Sequence, residues 1–190
     1  MSEFPSIASD AELMALARRG ERAPFAALYG RYWPRAVKMA TVICESRIEA
    51  KDIVRVSFGE AWRTRDEYVP ERETVRSWLL GIVRDQAAFS RTGAVQWGRS
   101  RFVAEVGDES SEGLESEGDL DLASDVSGAI ALLLADTPIE QREAIAMSFF
   151  GELSPDEIAR QLDMTEAAVA GRVRLGLEEL RARDFNVTRQ

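Results

Sequence analysis

The sequence predicts an all-α protein made of two small helical domains joined by an acidic flexible linker. Three observations lead there. Apolar residues recur at helical spacing along most of the chain, and strand-like alternation is missing. Between Ala104 and Asp125 stand nine acids and no base, interspersed with Gly107, Gly113, Gly118, Ser110, Ser111 and Ser116, the composition of a solvated, self-repelling tether. Helix-start signals lie on both sides of that stretch. The domain limits that follow are residues 1–98, a linker at 99–125, and residues 126–190. Shared between two units, 190 residues leave each a thin core that gains from a partner.

Ser9-Asp10-Ala11-Glu12 reads as a capping box ahead of Leu13, Leu16 and Ala17. A second stripe runs through Phe25, Leu28, Tyr29, Tyr32 and Trp33 to Val37 and Ala40. A third helix starts near Arg47 and carries Ile48, Val54, Phe58 and Trp62. After a loop at Tyr68-Val69-Pro70, a fourth carries Val75, Trp78, Leu79, Ile82 and Val83. Beyond the linker, Ile130, Leu133 and Leu134 suggest a short helix. Thr137-Pro138-Ile139-Glu140 predicts a helix with Thr137 as N-cap and Pro138 at its first position. That helix carries Ile145 and Phe149 inward and stops at Gly151. Ser154-Pro155-Asp156-Glu157 repeats the start signal, a turn follows at Asp163-Met164, and Thr165 caps a last helix with Val169, Val173, Leu177 and Leu180 inward. A short helix, a tight turn and a longer helix make a helix-turn-helix, with small Ala159 at the crossing.

Composition excludes several functions. Without histidine there is no Ser-His-Asp or Cys-His catalysis and no His-containing zinc site. Cys44 alone forms no internal disulfide, which fits a reducing cytoplasm. The longest apolar run, Ala129 to Ala135, is too short for a bilayer. The start lacks the basic region of a signal peptide, and no Gly-rich phosphate loop ends in Gly-Lys. We expect no enzyme, no cofactor, no metal and no membrane insertion.

The nine acids between Ala104 and Asp125 equal the whole net charge of −9, so the chain outside that segment balances to zero. The linker reads either as a plain tether or as a polyanion that mimics nucleic acid. On the last helix, the face opposite the apolar stripe is Ala167, Ala168, Gly171, Leu175 and Ala182, flanked by Arg172 and Arg174. Small residues there permit close approach to a DNA groove or to a protein. Base contacts fall to the Arg pair, and phosphate contacts to Thr165 and the helix start. Arg84, Arg91, Arg99 and Arg101 alternate with Phe89 and Trp97, a combination suited to a single strand through charge and base stacking. Phe89 equally suits a core position. Trp33, Trp62 and Trp78, on apolar stripes, read as core.

These units resemble an extracytoplasmic-function sigma factor of the sigma-70 family over about residues 10–92 and 128–183. Phe25-Ala26-Ala27-Leu28-Tyr29 with Tyr32 is similar to the family's early helix. Glu49-Ala50-Lys51-Asp52-Ile53-Val54-Arg55 is similar to its polymerase-binding helix, and Trp78-Leu79-Leu80-Gly81-Ile82-Val83-Arg84 to its promoter-melting helix. Gln141-Arg142-Glu143-Ala144, Glu157-Ile158-Ala159 and Val169 to Arg172 follow its helix-turn-helix pattern. The resemblance implies a transcription initiation subunit with core RNA polymerase, promoter DNA and an anti-sigma factor as partners. It places Asp52, Arg55, Val56, Phe58 and Trp62 at the polymerase, and Trp78, Arg84, Gln86, Phe89 and Arg91 at the −10 element. It places Thr165, Ala168, Gly171, Arg172 and Arg174 at the −35 element. The sequence departs from the family pattern at Lys51, Arg55, Val56, Asp85, Phe89, Ala168, Ala170 and Gly171. Lys51 and Arg55 reverse the usual local sign, which phosphorylation of Ser57 would offset. The rival reading is a sigma-like protein that binds an anti-sigma factor without initiating transcription. A plain helix-turn-helix regulator would need no polymerase-binding helix.

Overall fold

The computed structural model describes residues 8–91 and 130–187, with side chains to residue 182. The acidic segment at 99–125, and with it Trp97, Arg99 and Arg101, lies outside the described residues. Every regular element among the described residues is helical. The N-terminal helices are α1 (Asp10–Arg18), α2 (Arg22–Cys44), α3 (Arg47–Arg63) and α4 (Val75–Ser90), with a 3-10 turn at Arg65–Glu67. After a helical stretch at 130–133 come α5 (Ile139–Ile145), α6 (Pro155–Gln161) and α7 (Glu166–Val187).

Local signals set most of the boundaries. Ser9 accepts from the Glu12 amide while the Glu12 carboxylate accepts from the Ser9 amide, at 2.8 Å. Ser46 and Thr74 cap α3 and α4 through their hydroxyls. Ser154 and Glu157 form the second capping box, the Ser154 amide donating to Glu157 Oε2 at 2.9 Å. A cap of this kind contributes about 0.5–2 kcal/mol. Ser154→Ala should therefore lower stability by about 1 kcal/mol, read as a lower urea midpoint at unchanged slope. An unshifted midpoint would count against the box as a stabilising element.

The core forms around α2, which α1, α3 and α4 surround. Phe25, Leu28, Met39, Ile43, Ile53, Phe58, Leu79 and Leu80 are fully buried there. Aromatic contacts extend the packing: Tyr29 meets Phe58 edge-on at 5.0 Å and Phe25 meets Trp62 at a tilt at 5.3 Å between centroids. Leu134, Ile145, Ala146, Met147, Leu153, Ile158 and Val169, all from the C-terminal part of the chain, belong to the same continuous cluster. Neither group of helices therefore relies on its own thin core.

Four expectations are corrected. Ile48 sits in the first turn of α3 and is 81 % exposed, outside the stripe set by Ile53, Val54 and Phe58. Leu133 is exposed, and Ala131 and Leu134 point inward in its place. Pro138, not Thr137, is the N-cap of α5, and no side chain caps it. The buried Thr137 hydroxyl finds no hydrogen-bond partner among the described residues. Phe149 is 57 % exposed because residues Ala146–Phe150 form a π-turn. There the Gly151 amide reaches the Ala146 carbonyl, five residues back, at 3.0 Å. Wider turns rotate each residue less than an α-helix does, so Phe149 never returns to the face of Ile145.

Gly151 does end that segment, but by close approach. A Cβ on it would lie 2.6 Å from the Met147 carbonyl oxygen, and the left-handed position falls to Glu152 at φ 51°. Asp163, at φ 49°, makes the turn between α6 and α7, a conformation that Asp tolerates better than most side chains.

Candidate nucleic-acid interface

The last helix starts at Thr165, whose hydroxyl accepts from the Ala168 amide at 3.2 Å. Val169 anchors it inward, with Val173 and Leu180 packed against the core. Gly176 allows α7 to lie close to α5: a Cβ there would stand 2.6 Å from Ile145 Cδ1. The outer face carries Ala167, Ala168, Ala170 and Leu175, all exposed. A Cβ on Gly171 would meet nothing within 4 Å. Arg174 is exposed, with Nε 3.9 Å from Glu178 Oε1, and Arg172 is half-buried on the other flank. The expected set of Thr165, Ala168, Gly171, Arg172 and Arg174 is thus gathered at one end of one helix. Thr165, Ala168 and Arg174 are exposed there, and Gly171 and Arg172 are half-buried.

The α4 residues do not form one face. At about 100° per residue, Trp78 and Phe89 share a stripe, Gln86 lies further round, and Arg84 and Arg91 lie on the other side. Trp78 packs against Tyr68 at 5.5 Å. Phe89 is 52 % exposed, so it is no core residue. Arg91 pairs with Glu45 at the end of α2. Arg84 pairs with Asp85 at 2.9 Å and donates through Nη2 to the Gln161 carbonyl at 3.0 Å.

That last contact belongs to a polar seam along which α6 lies on α4. The Thr74 hydroxyl donates to Glu157 Oε1 at 2.7 Å, and Arg76 Nη2 lies 3.1 Å from Glu157 Oε2. Gln161 Nε2 donates to the Ser77 carbonyl at 2.7 Å and contacts its hydroxyl at 2.9 Å. A Cβ on Gly81 would stand 3.2 Å from the same nitrogen. Arg160 reaches the Arg72 carbonyl. Burial alone would raise the Glu157 carboxyl, but hydrogen bonds from Thr74 and Ser154 outweigh it and hold the group below its ordinary value. Glu143, buried nearby, is raised by burial and partly offset by Arg84.

A second junction centres on Glu45, the residue after α2, at φ 62°. Glycine is the usual occupant of such a position. Here the side chain has a role of its own, because the Glu45 carboxylate pairs with both Arg91 and Arg142. Arg142 is 1 % exposed and also donates to the carbonyls of Thr137 at 2.9 Å and Ala135 at 3.2 Å. Arg35 and Glu152 add a pair at 2.6 Å. Sequence reasoning missed this set. Glu157 was legible only as the partner of Ser154, since its α4 contacts lie more than eighty positions away.

On α3, Asp52 and Arg55 pair at 2.9 Å on the surface, and the Arg55 guanidinium stands over the Trp33 ring at 5.6 Å. Val56 and Trp62 are half-buried, Arg65 covering Trp62 at 4.3 Å. Phe58 is corrected: at 1 % exposure it is a core residue and offers no partner a contact. Ser57 is equally buried and donates to the Ile53 carbonyl at 2.8 Å, so a kinase has no access to it. Among the described residues no group of His, Cys, Asp and Glu could hold a metal, and no helix is long and apolar enough to cross a membrane.

Comparison with known proteins agrees with this geometry. The family described as Sigma-70 region 2 matches residues 28–90, and Sigma-70, region 4 matches residues 127–180. The chain is 27 % identical to the ECF RNA polymerase sigma factor SigK of Mycobacterium ulcerans, over 90 % of this chain and 92 % of that protein. It is 24 % identical to SigK of Mycobacterium tuberculosis, over 95 % and 97 %, and 23 % identical to RpoE of Cereibacter sphaeroides, over 89 % and 91 %. Among solved structures, CnrH in complex with the cytosolic domain of CnrY has the same fold, with a TM-score of 0.64 at 22 % identity over 91 % of this chain and 95 % of that one. A Sigma-70 region 2 unit followed by a region 4 unit defines a transcription initiation subunit. The chain belongs to the sigma-70 family, in its extracytoplasmic-function group, and is an RNA polymerase sigma factor for transcription initiation.

Proposed function

We propose a division of labour along the chain. Residues 1–98 bind core RNA polymerase and hold the opened −10 element, residues 99–125 tether, and residues 126–190 read the −35 element. The surface pair Asp52 and Arg55, with Val56 and Trp62 beside it, is the polymerase edge. Trp78, Arg84, Gln86, Phe89 and Arg91 serve the opened strand through charge and stacking. The protein works in the cytoplasm, catalyses no reaction itself, and is held in check by an anti-sigma factor. The complex of CnrH with CnrY supports that last point by analogy.

The observation that carries the −35 assignment is the exposed, small-residue start of α7, flanked by Arg172 and Arg174 and capped by Thr165. Run-off transcription tests it, with purified core polymerase on the DNA upstream of the chain's own gene. A specific transcript is expected from the native chain. Arg172→Ala with Arg174→Ala should lower it about tenfold or more, at about 1–3 kcal/mol per good base contact. A double variant that transcribes as well as the native chain would overturn the assignment.

A further inference from the structure

At the starts of α1 and α6 the acids of the first turn are occupied. Glu12 and Glu157 close capping boxes with Ser9 and Ser154. Asp10 pairs with Arg31, and Asp156 pairs with Arg160 at 2.7 Å. The start of α7 is built differently. Thr165 caps it alone, and the position that would complete a box is Ala168. Its first-turn acid is Glu166, which is exposed. No hydrogen bond or ion pair among the described residues engages that carboxylate. Its structural part is limited to the favourable field that any acid meets at a helix start.

The neighbours of Glu166 leave it room and no rival. Ala167, Ala168 and Ala170 are exposed, and a Cβ on Gly171 would meet nothing within 4 Å. The backbone at this end can therefore come close to a surface, as a short side chain such as glutamate requires. Glu166, Ala170 and Arg174 follow one another at four-residue spacing along one side of the helix. Arg174 lies two turns on, about 12 Å along the axis. That is too far to neutralise the carboxylate and far enough to meet a different base pair. The nearer acid to Arg174 is Glu178, at 3.9 Å.

In a helix-turn-helix the first residues of the second helix meet the base edges. A carboxylate brought there is repelled by phosphate and only accepts hydrogen bonds, so it must find an amino group on a base. In the major groove cytosine offers its N4 amino group and no acceptor. Adenine sets the N7 acceptor beside its N6 amino group, and guanine offers acceptors alone. We infer that Glu166 is a specificity-determining residue of the −35 contact, selecting one cytosine by accepting from its N4 amino group. This rests on the reading of α7 as the −35 helix. Arg172 and Arg174 cannot supply that preference, because an arginine fork matches guanine. Glu166 also acts by exclusion, since its charge weakens the hold of α7 on any duplex that lacks a cytosine at that place.

The test uses the full chain bound to core polymerase, which selects duplexes from a pool of random sequence long enough for both promoter elements. The selected pools are sequenced. The native chain should enrich a cytosine at one −35 position. Glu166→Gln should turn that position to adenine, whose N6 and N7 an amide serves together, with a change of preference of about tenfold. Glu166→Ala should leave the position without preference and bind random duplex more tightly, one repulsive charge having gone. Thr165 still caps α7 in both variants, and the other −35 positions should stay as in the native pool. Arg172→Ala with Arg174→Ala is the control for α7 itself. If that control loses the −35 element while both Glu166 variants select the native sequence, α7 reads DNA and the inference is overturned. Glu166 variants that weaken every sequence alike overturn it too, because a helix-start acid without a base contact would do that. A native pool with no −35 element, or a control pool identical to the native one, overturns the reading of α7 and the inference with it.

Discussion

Phe58→Ala should destabilise the chain by about 3–5 kcal/mol, the cost of emptying a large aromatic site in a closed core. Phe25 and Tyr29 both lie edge-on against that ring, and neither α2 nor α3 can collapse into the space without moving the other. Loss of polymerase binding is the expected consequence, caused by unfolding and not by a missing contact. The control separates the two causes. Asp52→Ala, on the surface of the same helix, should leave the urea midpoint within about 0.5 kcal/mol of native while weakening retention on core polymerase. Ile48→Ala, on an exposed first turn, should do neither. A Phe58→Ala chain that melts like the native one yet fails to bind polymerase would return this residue to the interface and contradict its burial.

The contrast between Phe58 and Ile48 shows what the sequence could carry. Apolar spacing identified α3 as a helix, and a helix is what formed. Which of two apolar residues faces inward depends on where α2 lies, and spacing within α3 holds no information about that. Capping is different, because both partners sit within four residues. Ser9 with Glu12, Ser154 with Glu157, and Thr165 with Ala168 were accordingly legible. The Thr137 start failed because the Arg142 guanidinium arranges that turn by reaching back to the carbonyls of Ala135 and Thr137. An arginine at that position reads as a solvated charge until its burial is known. The π-turn at Ala146–Phe150 defeated the reading of Phe149 for a related reason. Periodicity assumes a constant turn, and the close approach of Gly151 to Met147 marks where the turn widens.

The candidate site divides along the same line. The five −35 residues fall within ten positions on one helix, so their grouping was visible in the sequence. The −10 residues also share one helix, but their partners come from elsewhere: Gln161 of α6 for Arg84, Glu45 for Arg91 and Tyr68 for Trp78. Nothing near Arg84 in sequence announces Gln161. The seam between α4 and α6 is long-range structure made of ordinary polar residues, each of which has an acceptable surface reading by itself.

Arg142→Ala should cost about 3–5 kcal/mol, comparable to breaking a buried ion pair, and the reason lies in what is left behind. Glu45 keeps Arg91 as a partner, so its carboxylate is not stranded. The carbonyls of Ala135 and Thr137 lose their donor inside the protein, at about 1–3 kcal/mol for a buried group left unsatisfied. A cavity the size of the side chain adds to this. Arg142→Lys tests the geometry separately from the charge. A lysine ammonium is a point donor and does not reproduce the planar fork that serves Thr137, Ala135 and Glu45 together, so it should recover less than half of the loss. Pairing Arg142→Ala with Glu45→Gln in a double-mutant cycle then isolates the part that crosses between the two groups of helices. A coupling near zero, with the full loss from Arg142→Ala alone, would make Arg142 a local fastener of the 135–142 turn. A coupling above about 0.5 kcal/mol makes the Glu45 junction a true hold between the two groups of helices. The urea midpoints of four chains decide between them.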